Sequence, residues 1–128
     1  MKPEVDAAIA ELRDYYNGRV DISALPDGSA KILVRDLPLA GGPYVQQETW
    51  FGFTITYLHP YADIYPHFVR PDLTRRDGQP FGQSFQVGRD FYGQPATMLS
   101  RRTSLFGPEH PMNAKLKLEK VLQWLISP

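Results

Sequence analysis

From Pro3 to Tyr16 the apolar side chains Val5, Ile9, Leu12 and Tyr16 recur at steps of four, three and four, which draws one stripe down a helix. Pro3 suits the first helical turn, and Asn17-Gly18 supplies residues that leave a helix through left-handed conformations. A second stripe, Ala114, Leu118, Val121, Leu122 and Leu125, follows Asn113, a fitting N-cap, and predicts a helix over 113–126. Between the two the period changes to two. Thr49 to Tyr57 sets Phe51, Phe53, Ile55 and Tyr57 on one side and Trp50, Gly52, Thr54 and Thr56 on the other, the mark of a strand. Arg19 to Ala24 and Ala30 to Leu37, parted by Pro26-Asp27-Gly28, read as a hairpin. His67 to Arg70 allows only a short strand before Pro71, and Pro95 to Ser100 another short extended segment.

Asp72 to Gly93 carries four glycines and a proline and reads as a long loop, with a short strand at Ser84 to Val87. Loops of that length in compact domains are usually functional, so this one is expected to be a mobile working edge. The elements imply one α+β domain over residues 1–128: N-terminal helix, antiparallel meander, long loop, C-terminal helix. Val5, Ile9, Leu12, Phe51, Phe53, Ile55, Leu118, Val121 and Leu125 are expected to share one core, because both helical stripes need an apolar sheet face to cover.

Composition narrows the chemistry. With 128 residues, 14 Lys+Arg against 14 Asp+Glu, no global field draws the chain onto nucleic acid or an anionic membrane. The absence of cysteine removes disulfides, thiolate metal sites and thiol nucleophiles. No apolar run spans a bilayer and the acidic start MKPEVDAAIAELRD is unlike a signal peptide, so a soluble, cytoplasmic domain is expected.

Phosphate loops, dinucleotide fingerprints, zinc-protease and nucleophile-elbow motifs are all missing, and no cofactor is implied. His59, His67 and His110 are too scattered to suggest a metal site. His67, beside Phe68, reads as a partly buried, hydrogen-bonded side chain, and His59 and His110, each before a proline, as turn residues. Arg70, Arg75, Arg76, Arg89, Arg101 and Arg102 cluster locally; they could grip phosphate or carboxylate, or simply pair with Asp72, Asp77 and Asp90. Neutral net charge argues against a nucleic-acid role. Ser84, Thr97, Ser100, Thr103 and Ser104 crowd the region before the last helix, but a hydroxyl becomes a nucleophile only with a base and oxyanion donors beside it.

Gly42-Pro43-Tyr44, the strand from Trp50 to Tyr57, then Tyr61 and Tyr65-Pro66, and the helical pattern from Leu116 to Leu125 with Val121-Leu122, together resemble the ubiquitin-conjugating (UBC) enzymes over residues 3–126. The resemblance implies a UBC-like fold with a long active-site flap. With one helix after the active-site region, it is closer to bacterial relatives found beside ubiquitin-like proteins and activating enzymes. Two departures matter. The family's His-Pro-Asn triplet is missing, since His59-Pro60 lies too early and His110-Pro111 too late, and so is its cysteine. The resemblance, with Phe106-Gly107-Pro108 taken as the family's later marker, implies a reactive position between Gly93 and Ser100, a window holding Ala96, Thr97 and Ser100.

Two functions follow from the resemblance. In one, the chain is an inactive variant that binds a ubiquitin-like protein or a partner enzyme. In the other, a hydroxyl accepts the C-terminus of a ubiquitin-like protein from an activating enzyme as an oxyester and passes it to a target protein. That step needs a base, since an alcohol titrates far above the ~8.5 of a thiol. The Ser100-Arg101-Arg102 segment, similar to that of relatives lacking the cysteine, favours the oxyester: Ser100 as acceptor or Thr97 in its place, His110 or Asp90 as base, Arg101 and Arg102 holding the acyl end. The plainer alternative makes Ser100 a turn-capping residue.

Overall fold

The computed structural model describes residues 2–104 and 107–127. Phe106 of the Phe106-Gly107-Pro108 marker lies outside them. The elements run α1 (Pro3–Tyr15), β1 (Val20–Ala24), β2 (Ala30–Pro38), β3 (Glu48–Ile55), β4 (His67–Val69), β5 (Phe85–Phe91), β6 (Gln94–Leu99) and α2 (Ala114–Ile126). Every strand pairing is antiparallel, in the order β1-β2-β3-β4-β6-β5. Among the described residues the architecture is α+β, two helices and a six-stranded sheet.

Local chemistry explains the helices. Pro3 occupies the first turn of α1, and the Asn113 carboxamide accepts the Leu116 N–H at 2.9 Å to cap α2. Their stripes meet one side of the sheet. Ile32 pairs with Phe53 and Val34 with Phe51, and these four lie fully buried with Val5, Leu12, Leu118 and Leu125 in a single core cluster. All nine residues expected there belong to it. Tyr44, in the loop before β3, joins the core by donating its hydroxyl to the Leu125 carbonyl at 2.8 Å, and burial pushes its phenol up to about 12.

The alternate positions form the outer face, where Leu33, Gly52, Phe68, Met98 and Gln86 stand in register across five strands.

The expected long loop is corrected in its second half. Phe85 to Phe91 is a seven-residue edge strand, not a short strand at Ser84 to Val87. Gly88, at φ +70, lies in a register shift between Gln86 and Arg89, and such a bulge breaks the alternation by which a strand is recognised. The turn to β6 is two residues, Tyr92 and Gly93, both at positive φ, which is the primed geometry that matches strand twist. The remaining stretch, 72–84, is tied to the Pro43–Gln46 segment: Val45 donates to the Thr74 carbonyl and Arg76 to that of Pro43, each at 2.8 Å.

Candidate functional site

The chain leaves β6 through Ser100, Arg101, Arg102 and Thr103, and hydrogen bonds hold this segment at several points. The Ser100 N–H donates to the Ser84 carbonyl at 2.8 Å. The Arg101 carbonyl accepts from Lys117 Nζ at 2.9 Å, and the Thr103 N–H donates to Asp63 Oδ2 at 2.8 Å. Lys117 Nζ also reaches Thr103 Oγ1 at 2.7 Å and Asp63 Oδ1 at 3.0 Å. Its three partners match the three protons of an ammonium group, which is how a lysine side chain only 5% exposed can remain in place.

Sequence reasoning missed Asp63 and Lys117, although one signal was there. Position 117 lies three after Ala114 and four before Val121, so a charged residue stands on the apolar stripe of α2.

The two arginines diverge. The Arg101 guanidinium lies over the Trp124 ring, 4.9 Å from its centroid, and that of Arg102 over the Tyr65 ring at 3.9 Å. Trp124 in turn packs on Phe85, which stacks on Phe81 at 4.6 Å. Beside this aromatic row runs an open groove of about 530 Å³, lined by Gly42, Pro43, Arg75, Phe85, Trp124 and Ile126 among others.

Of the expected catalytic residues, Asp90 and Thr97 do not meet Ser100 in one site. Ser100 is half-buried, and the hydrogen bond of its hydroxyl among the described residues comes from Gln86 Nε2 at 3.2 Å. Asp90 pairs with Pro95 at the opposite end of β6, where its carboxylate accepts the Gly93 N–H at 2.8 Å. Five residues of extended chain separate Pro95 from Ser100, about 16 Å, so Asp90 is no base for Ser100. Thr97 pairs with Val69, is 1% exposed and points into the core, where its hydroxyl has no partner among the described residues; it offers no acceptor to an incoming protein. His110 is exposed in a turn closed on Gly107, beside Thr103, Lys117 and Lys120.

The histidine and arginine expectations divide. His67 is wholly buried, with no hydrogen bond to either ring nitrogen among the described residues, and packs against Phe51 and Phe53 at 5.9 and 5.1 Å between ring centroids. Burial, reinforced by the nearby Lys117 charge, lowers its pKa to about 3, so it is a neutral core residue where a hydrogen-bonded one was expected. Arg70 pairs with Asp72 and Arg75 with Asp77, but Arg89 bonds Gln86, leaving Asp90 to its turn. No group of three His, Asp or Glu among the described residues could hold a metal ion, and no helix there is long and apolar enough to cross a membrane.

Searches against family models, curated proteins and solved structures find no match. The arrangement itself therefore bears the functional reading. It sets two guanidinium groups over aromatic rings beside an open groove, and among the described residues no carboxylate or imidazole is hydrogen-bonded to Ser100 Oγ.

Proposed function

We propose that this chain is a non-catalytic UBC-like binding module that holds a ubiquitin-like protein or a partner enzyme of a conjugation pathway. The order of one helix followed by the antiparallel meander of β1 to β4 supports the UBC resemblance noted in Gly42-Pro43-Tyr44 and Tyr65-Pro66. The observation that carries the non-catalytic reading is the surrounding of Ser100. Its oxygen accepts from a neutral amide, and no carboxylate or imidazole is bonded to it among the described residues. An alcohol without a base stays protonated at neutral pH and attacks an acyl group poorly.

The test presents the protein with a panel of ubiquitin-like proteins, their activating enzymes and ATP, read by calorimetry for binding and by denaturing gel for adducts. The expected result is a non-covalent complex with no adduct that hydroxylamine cleaves. An adduct that resists reducing agent, yields to hydroxylamine and is lost in Ser100→Ala would overturn this reading and establish a serine oxyester carrier. Absence of any complex would overturn the ubiquitin-like partner.

A further inference from the structure

The segment after β6 gathers uncompensated positive charge in a chain whose charges balance overall. A pocket of about 240 Å³ is lined by Arg101, Arg102, Thr103, Ser104, Lys117 and Lys120, with Val121 as its apolar member and no carboxylate. Lys117 is neutralised by Asp63 behind it. Arg101, Arg102 and Lys120 are exposed and take part in none of the ion pairs among the described residues.

The two guanidinium groups are also held in advance. Their backbone is fixed on both sides by the bonds of Lys117 to the Arg101 carbonyl and of Asp63 to the Thr103 N–H, and their Cζ atoms lie over the Trp124 and Tyr65 rings. Stacking occupies a face of a guanidinium and leaves its N–H edge free to fork onto an oxyanion. Less side-chain freedom is lost when such a group binds.

We propose that this shelf, continuing past Trp124 into the groove beside Phe85, binds an acidic peptide segment of a partner protein. Side-chain carboxylates meet the guanidinium edges and Lys120, and an adjoining apolar side chain enters the groove. The shared wall decides for a peptide: Trp124 carries Arg101 and also lines the groove, so charge and apolar surface adjoin. A nucleic acid would need a longer basic track, and Arg70 and Arg75 are already occupied by Asp72 and Asp77. The inference rests on the binding-module reading and names its surface.

The probe is a short fluorescent peptide of alternating glutamate and leucine, followed by anisotropy at low salt against the full chain. Saturable binding is expected, weakened about tenfold or more in R101E/R102E and to a lesser extent in K120E. Gly82→Glu adds an acid at the groove where a Cβ meets open space, so it should weaken binding without disturbing the fold. Thermal melts confirm that each variant is folded. No peptide binding by the unaltered chain, binding indifferent to R101E/R102E, K120E and Gly82→Glu, or tighter binding of a single-stranded oligonucleotide would each overturn the proposal. A ubiquitin-like protein that still binds R101E/R102E would overturn the shelf and leave the binding module standing. Peptide binding that fails on charge reversal, with no ubiquitin-like protein bound, would keep the shelf and overturn that partner.

Discussion

The Phe91 ring packs onto the backbone of Gly52, so closely that a Cβ at position 52 would stand 2.5 Å from Phe91 Cε2. β5 is three places from β3 in the sheet, about 14 Å in a flat array. The β5–β6 turn therefore curls over the outer face. It is free to do so because β4 holds β6 only at Thr97 to Leu99. Trp50 and Phe68 flank the Phe91 ring, and Tyr92 adds a hydroxyl contact of 2.7 Å to Thr54 Oγ1.

Gly52→Ala should therefore destabilise the protein, although alanine ordinarily suits a strand better than glycine. Overpacking of this kind costs about 1 to 3 kcal/mol. Denaturant unfolding of Gly52→Ala, Phe91→Leu and the double variant should show coupling, the smaller side chain relieving part of the loss. Simple additivity would mean that the two residues do not press on each other.

Removing one member of the Asp63–Lys117 pair should be severe, because it leaves a charge in a nearly closed site. Lys117→Met is expected to cost about 3 to 5 kcal/mol, and Asp63→Asn likewise. In Lys117→Met the Arg101 carbonyl also loses its donor, so amide exchange at Thr103, whose N–H is held by Asp63, should quicken more than at α2. Equal effects everywhere would point to general unfolding instead.

His67 predicts how stability falls in acid. Its pKa is about 3 in the folded chain, chiefly through burial, against 6.5 ordinarily, so the folded state resists a proton that the unfolded chain accepts. Stability is full above 6.5 and declines as pH falls from there toward 3, at up to about 1.4 kcal/mol per pH unit. His59, lowered chiefly by burial, acts in the same direction. Between pH 6.5 and 4.5, above the carboxylate range, His67→Leu should lose stability less steeply than the unaltered chain. Parallel slopes would assign the acid limb elsewhere.

Phe53→Ala should cost about 3 to 5 kcal/mol, since the ring is fully buried between Ile32 and His67. An unchanged unfolding midpoint would mean that this side of β3 does not face the core.

The candidate site was far less legible than the frame. Arg101 and Arg102 stood out as an adjacent pair, but nothing near them in the chain announced Trp124, Tyr65 or Asp63, which lie 22 to 39 positions away. The resemblance points to Ser100 and Thr97 as acceptors and to Asp90 and His110 as bases, all within about twenty positions of one another. Pairing then sent Thr97 into the core and Asp90 to the far end of the hairpin.

By itself the sequence determined both helices, the β1–β2 hairpin, the core side of β3 and the nine residues that meet there. Each follows from a period or a cap that acts within a few residues, and burial of apolar surface then favours one face whatever the rest of the chain does. Only the tertiary structure decided the seven-residue length of β5, the closure of Phe91 over Gly52, the salt bridge across 54 positions between Asp63 and Lys117, and the separation of Ser100 from Asp90. Those depend on strand order and register. A bulge at Gly88 or a one-residue slip in pairing would reverse which side chains meet, with little trace in local periodicity.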